Sequence, residues 1–338
     1  MLSERVVLID AFSQIYRSFY AVRNLSNSRG EPVNALLVFT RLLLGIEKNY
    51  PGRRGAMLFD CGKVKFRLDV LPEYKANRPP MPDALAVQIP FIREMASAFG
   101  WQMHAVENYE ADDLAGAIAR NISENVLILS SDKDLSQLIN ERVTLLTPAS
   151  GKKSGFEERD ASYVKEKYGV LPEQMVEYLA LTGDSSDNID GVPGIGEKSA
   201  AELLNTYGAS ENWIDNPGIL AKKFASKLEN KGELLRRNIE LVKLRTDIPE
   251  SWSSLDDILE KKAPNWMKIR ELCQYYGLKS ILKDIPQDSC CCEESNSNTA
   301  LFEEDELFFT PAAERVDAAV SEKLPEDETP VQGELFTL

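Results

Sequence analysis

Val126-Leu127-Ile128-Leu129-Ser130-Ser131-Asp132-Lys133-Asp134 switches within a few positions from wholly apolar to wholly polar. An apolar run of four with polar flanks is too short for a helix and reads as a buried strand of a parallel sheet. Three similar runs occur. Val6-Val7-Leu8-Ile9 ends at Asp10, Ala56-Met57-Leu58-Phe59 ends at Asp60, and Val143-Thr144-Leu145-Leu146 closes the set. Helical patterns separate the runs, so the fold class is α/β, with a mostly parallel sheet flanked by helices. Ligands of open α/β sheets bind at the carboxyl ends of the strands. The predicted rim therefore gathers Asp10, Asp60, Asp132 and Asp134.

Working outward, Glu110-Ala111-Asp112-Asp113 opens an amphipathic helix. Acids there complement the helix dipole for a few tenths of a kcal/mol each. Three carboxylates in four residues exceed that need, and beside four other Asp they would repel strongly. Divalent cations relieve such repulsion.

Between the second strand and this helix lie Lys63-Val64-Lys65-Phe66-Arg67 and Pro72-Glu73-Tyr74-Lys75-Ala76-Asn77-Arg78-Pro79-Pro80-Met81-Pro82. Basic residues alternate with aromatics, a pattern that clamps a phosphate backbone or stacks bases. A solvated basic loop is the competing reading. Tyr16-Arg17 and Phe19-Tyr20 lie in the helix after the first strand, where the aromatic stripe reads as core.

Residues 183 to 200 combine two features. Asp184 and Asp187 are spaced so that one helical turn puts both carboxylates on one face. Gly191-Val192-Pro193-Gly194-Ile195-Gly196-Glu197-Lys198 is then a Gly-rich turn entering a helix, where backbone N–H groups can approach a phosphate and Lys198 adds charge. Alone, that second half also fits an ordinary turn.

Composition narrows the chemistry. Of 338 residues 43% are hydrophobic, as in a globular protein with a sizeable core, and no apolar run is long enough for a membrane span. The five Cys show no metal spacing or disulfide framework, which together with the missing signal peptide leads to a cytoplasmic, nucleoid-associated expectation. The formal net charge of −15 opposes nucleic-acid binding only at first sight. From Asp284 onward there are 15 acidic and 2 basic residues, so all but −2 of the charge lies in that tail. Committing nine carboxylates to metal would leave the rest of residues 1–283 basic. The single histidine, His104, reads as a satisfied residue, so Ser-His-Asp, Cys-His and N/S-ligated zinc chemistry have nothing to build on. An all-carboxylate set selects Mg²⁺ or Mn²⁺. One ion can activate a water while a second, about 4 Å away, stabilises the leaving oxygen of a phosphoryl displacement. That is a phosphodiesterase design.

Taken together, Leu8-Ile9-Asp10, Leu58-Phe59-Asp60, Pro72 to Pro82, Glu110-Ala111-Asp112-Asp113, Ser131 to Asp134 and Gly183 to Asn188 resemble the 5′ nuclease domain of bacterial DNA polymerase I, of the flap endonuclease superfamily. The resemblance covers about residues 4 to 283. It implies a PIN-like core over 1–168 with a basic arch around 63–82, and a helix–three-turn–helix with further helices over 169–284. It implies metal ligation by Asp10, Asp60, Glu110, Asp112, Asp113, Asp132, Asp134, Asp184 and Asp187. Catalytic phosphate contacts would fall to Tyr74, Lys75, Arg78 and Arg17. Duplex backbone would rest on Gly191, Val192, Gly194, Ile195, Gly196 and Lys198, with a K⁺ ion at that turn. The implied activity is Mg²⁺-dependent cleavage of 5′ flaps, nicks and RNA primers by two or more ions, leaving 3′-hydroxyl and 5′-phosphate ends. DNA is the implied partner of a monomer. Asp190 departs from the family by standing where bacterial relatives usually carry Pro.

Residues 285–338 read as a disordered acidic tail. Within it Gln332, Leu335 and Phe336 resemble the peptide by which bacterial replication proteins bind the sliding clamp. No polymerase domain follows in the sequence, so a free-standing, clamp-tethered nuclease is the expectation. The alternative is a non-catalytic DNA-junction-binding protein with the same fold. It predicts gaps in the acidic set, and the sequence has none. The Cys290-Cys291-Cys292 triplet suggests no mechanism.

Overall fold

The computed structural model describes residues 5–149 and 155–286. Strand β1 (Arg5–Asp10) runs into α1 (Ala11–Ala21), because the Asp10 side chain accepts from the Ser13 amide and caps the helix. Next come α2 (Asn34–Asn49), β2 (Gly55–Leu58), α3 (Lys65–Val70), α4 (Asp83–Ala86), α5 (Ile89–Ala98) and β3 (Met103–His104). The acidic helix α6 (Ala111–Asn121) starts at Glu110, whose amide donates to the Asp113 side chain one turn on (3.1 Å). Strand β4 (Asn125–Leu129), β5 (Val143–Pro148) and β6 (Phe156–Arg159) complete the sheet, and α7 (Ala161–Tyr168) follows, closed by Gly169 in the left-handed region.

The remaining elements are helical apart from one small hairpin. They are α8 (Met175–Thr182), β7 (Gly183–Asp184), β8 (Ile189–Asp190), α9 (Glu197–Tyr207), α10 (Lys222–Leu228), α11 (Gly232–Val242), α12 (Leu255–Leu259) and α13 (Trp266–Tyr275).

The six-stranded sheet has the order β3-β2-β1-β4-β5-β6, parallel except for antiparallel β6 at the edge. Its four central strands coincide with the four apolar runs. Strand residues alternate between the two faces, as a period of two requires. Val6, Leu8, Ala56, Leu58, Val126 and Ile128 join a core shared with α6, α8, α9 and α11. Val7, Ile9, Met57, Phe59, Leu127 and Leu129 join a core shared with α1, α2, α5 and α13. Fully burying each such side chain is worth about 2 kcal/mol, which anchors the strand ends and the acids beyond them.

Two elements differ from the sequence reading. β6 is an edge strand whose Phe-Glu-Glu-Arg composition hides it. Asp184 and Asp187 lie on a single 3₁₀ turn (Ser185–Asp187) between β7 and β8, with Asp184 as its cap. In α1, Tyr16 and Phe19 pack on the core as expected, but Tyr20 is 61% exposed. Among the described residues no helix is long and apolar enough to cross a membrane.

Candidate metal centre and nucleic-acid interface

The parallel strands deliver acids to one rim. Asp10 ends β1, Asp60 lies just past β2, and Asp132 and Asp134 follow β4. Three of these carboxylates are steadied by neutral donors. Asp10 accepts from Ser130 Oγ (2.8 Å) and the Ser13 amide (3.2 Å), Asp60 from the Ala111 amide (2.8 Å), and Asp132 from the Asp134 amide (2.9 Å). The Asp60 contact also binds the rim to the first turn of α6, bringing Asp112 in.

These acids perturb one another. Burial, then the Asp60 charge, pushes Asp10 up to about 7. Burial, then Asp10, Asp132 and Asp60, raises Asp112 well above the usual carboxylate range. Burial raises Asp132, with Asp187 and Asp184 adding to it, and burial followed by Asp132, Asp184 and Asp187 raises Asp134. Mutual repulsion of this kind arises only among close neighbours. Among the described residues no ion pair reaches Asp10, Asp60, Asp112, Asp132 or Asp134, and Asp134 Oδ1 is buried with no hydrogen-bond partner. An all-oxygen set with an orphaned buried oxygen fits a hard cation.

The other four predicted ligands are tied to the chain's own cations. Glu110 pairs with Lys75 (2.7 Å) and Arg67 (3.1 Å), Asp187 with Arg78 (2.5 Å), and Asp184 with Lys133 (3.0 Å). Burial pushes Asp184 up, but hydrogen bonds from Ser186 and Lys133 outweigh it and hold the carboxyl below its usual range. Asp113 requires a correction. It is fully buried and its four acceptor positions are filled, by both Arg67 Nη atoms (2.7 and 2.8 Å), the Arg245 amide (2.9 Å) and the Glu110 amide (3.1 Å). It is a structural ion pair and cap, with no oxygen left for a ligand. With these cations in place, no group of three or more His, Cys, Asp or Glu side chains among the described residues is arranged to hold a metal as it stands.

The arch segment folds down onto the acids. Lys75 Nζ reaches Glu110, the Asn77 amide nitrogen donates to Ser185 O (2.6 Å), and Arg78 Nε to Ser186 O (3.3 Å). Between arch and rim lies a cavity of about 390 Å³, lined by Asp60, Lys63, Tyr74, Lys75, Arg78 and Glu110 among others. Tyr74 is no stacking platform. It is 8% exposed, and its hydroxyl lies between the Glu110 (3.2 Å) and Asp187 (3.0 Å) carboxylates, with one proton to donate to either. Burial and those two charges push its pKa up, so it stays protonated as a donor. Arg67, read above as part of the basic run, is buried as well. Arg17 donates to Ser131 Oγ (3.4 Å) and Pro148 O (3.2 Å), which places it beside the Asp132 loop.

In the Gly-rich turn, Val192 and Ile195 are buried and their amides are spent on Leu181 O and Val192 O. They shape the turn rather than offer donors outward. Gly191 is set by packing, since a Cβ there would stand 2.4 Å from Thr182. Gly194, at φ +80°, needs the freedom glycine provides. Gly194, Gly196 and Lys198 are exposed, and Gly196 stands at the cap position before α9 with no side chain to bond its amides. Its first-turn amides therefore point to solvent, as an anion site requires.

Sequence reasoning missed Lys133 as a partner of Asp184, although it stood inside the quoted motif, and Asn188, whose amide donates to Glu73 O (2.8 Å) and closes the arch base. His104 is satisfied by Ile258 O (3.0 Å) as expected. Gln332, Leu335, Phe336 and Cys290 to Cys292 lie outside the described residues.

Residues 5–169 match the family described as 5′-3′ exonuclease, N-terminal resolvase-like domain, and residues 170–266 its C-terminal SAM fold. The 5′-3′ exonuclease of Aquifex aeolicus is 36% identical over 82% of this chain and 94% of that protein. DNA polymerase I of Bacillus subtilis is 34% identical over 87% of this chain, which spans 34% of that relative's length. The bacteriophage T5 D15 flap endonuclease, solved as a complex with DNA and metal ions, superposes with a TM-score of 0.58 at 25% identity, covering 83% of this chain and 97% of the other. The catalytic core of Rad2, solved with a DNA substrate, shares the fold at a TM-score of 0.57 and 18% identity, covering 84% of this chain and 93% of that one.

Proposed function

Because the chain belongs to the 5′-3′ exonuclease family, we propose that it is a structure-specific 5′ nuclease that hydrolyses phosphodiester bonds at 5′ flaps, nicks and RNA primers. The observation that carries this reading is the rim of Asp10, Asp60, Asp112, Asp132 and Asp134, crowded together at the strand ends, mutually repelling and, among the described residues, without an ion-pair partner. These residues, with Asp184 and an oxygen of Glu110, would hold two or more Mg²⁺ or Mn²⁺ ions. Such ions supply an activated water and charge stabilisation at the leaving oxygen.

The chain's own residues do the rest. Lys75 and Arg78 stand over the rim on a loop stitched to residues 185–187, positioned to grip the oxygens of a phosphate that enters the cavity. Burial works against the Lys75 charge, but Glu110 and Asp187 hold its pKa above the usual value, so it remains an ammonium. Tyr74 keeps Glu110 and Asp187 together, and Arg17 adds a cation beside Ser131. Duplex on the far side of the scissile bond would lie on the exposed amides of Gly194, Gly196 and the first turn of α9, next to Lys198. A K⁺ ion at that turn would use carbonyls other than Gly194 O, which the Lys227 ammonium already engages (2.8 Å). Products would carry 3′-hydroxyl and 5′-phosphate ends. The protein would work as a monomer, brought to nicks by a sliding clamp bound to Gln332, Leu335 and Phe336. A clamp pull-down unchanged by deleting residues 332–338 rejects that last element.

The test is a labelled 5′-flap substrate, all-DNA and RNA-primed, incubated with Mg²⁺ or with EDTA. Cleavage near the junction with Mg²⁺, absent in EDTA and in Asp112→Asn, is expected. DNA bound but left uncut would establish the non-catalytic junction binder instead.

A further inference from the structure

Arg67 has no part in the reading above, yet it is 1% exposed at the edge of the acidic rim. All three of its nitrogens are engaged. Nε donates to Leu241 O at the end of α11 (3.1 Å), Nη1 to Asp113 Oδ2 (2.7 Å) and Glu110 Oε2 (3.1 Å), and Nη2 to Asp113 Oδ1 (2.8 Å). The guanidinium thus joins α3 at the base of the arch, the first turn of α6 and the last turn of α11. Phe66 stacks on it, with its ring centroid 4.7 Å away.

Stability alone explains such a residue poorly, because a buried ion pair roughly breaks even against apolar replacements. Its effect on Glu110 is specific. Among the described residues Oε2 is held by Arg67 with the Tyr74 hydroxyl in reach, whereas Oε1 meets only the Lys75 ammonium. We infer that Arg67 is a positioning residue, which locks one oxygen of Glu110 so that the other is presented to a divalent ion in exchange for Lys75. The inference rests on the reading of the rim acids as metal ligands. Partners that orient a ligand from behind typically set metal affinity by about 10–100-fold. Lysine cannot replace the planar two-pronged contact.

The experiment is calorimetric titration of Mn²⁺ into the wild-type protein, Arg67→Lys, and the paired Arg67→Met with Asp113→Leu, which removes the buried charges together and protects the fold if the single variant fails. Affinity for nicked duplex in EDTA is measured alongside. Mn²⁺ binding about 10–100-fold weaker in the variants, with duplex affinity kept, is the expected result. Wild-type uptake left unchanged in the variants overturns this inference alone. Joint loss of Mn²⁺ and duplex binding also overturns it, since that marks general damage. A wild-type protein that takes up no Mn²⁺ overturns the metal reading and this inference with it.

Discussion

Lys75 holds a left-handed backbone, φ +56°, while its amide donates to the Asp187 carbonyl oxygen at 3.0 Å. A side chain bearing a Cβ is strained there by about 1 kcal/mol and stays only where its surroundings enforce it. The surroundings are Asn77, Arg78 and Asn188, each bonded across the same gap between the arch and the 185–188 turn.

That strain separates folding from function. Lys75→Gly and Lys75→Ala both lose the ammonium, so both are expected to lose flap cleavage by at least about 100-fold. The Gly variant should nevertheless be more stable than the Ala variant by about 1 kcal/mol, because only alanine keeps the strained Cβ. Single-turnover cleavage and chemical denaturation check the two halves.

Asp113 and Asp132 should respond in opposite directions to the same change. Asp113→Asn breaks a fully buried bidentate pair and is expected to cost about 3 kcal/mol. Asp132→Asn removes a carboxylate that the neighbouring Asp187 and Asp184 repel, so without divalent ions it should raise the melting temperature. Only the second is expected to remove cleavage while the fold stays intact.

A pH effect arises beside the rim. Arg245 donates to Asp247 (2.5 Å), as does the Tyr109 hydroxyl (2.5 Å), and these bonds, Arg245 first, hold the Asp247 carboxyl at about 2. A depressed carboxylate stabilises the fold above its unfolded value of about 3.9, and that contribution fades as pH falls toward about 2. Asp247 is half exposed, so the effect is small. The melting temperature of Asp247→Asn should lie below wild type at pH 5 and converge on it as the pH is lowered through that window.

The four central strands and the acids just past three of them were legible because burial on both faces forces a continuous apolar run and the chemistry sits where that run stops. Strand β6 was not, since an edge strand need only half-bury its Phe156. Asp113 and Arg67 were misjudged for one shared reason. Composition cannot tell a buried pair from an exposed carboxylate near an exposed arginine, and what separates them is the close approach of α6 to residue 245, where a Cβ on Gly116 would stand 2.6 Å from a carbonyl oxygen. Val192 and Ile195 were taken as DNA contacts from their place in a motif, whereas their alternation with exposed Gly194 and Gly196 already matched an inward-facing pair.

The duplex face gives a salt-dependent prediction. Lys198 is exposed, and among the described residues no ion pair involves it. Lys198→Gln should weaken nicked-duplex binding equally for all sequences and lower the slope of log affinity against log salt by about 1. Fluorescence anisotropy across a salt series measures both.

The crowding of Asp10, Asp112, Asp132 and Asp134 is tested most directly by thermal denaturation with and without millimolar Mg²⁺ or Mn²⁺, for wild type and for Asp132→Asn. Ligand at about 100 times its Kd adds about 2.7 kcal/mol per site, so the wild-type melting temperature should rise by several degrees, and that of Asp132→Asn by much less. A wild-type protein that melts at the same temperature with EDTA as with either ion contradicts the account.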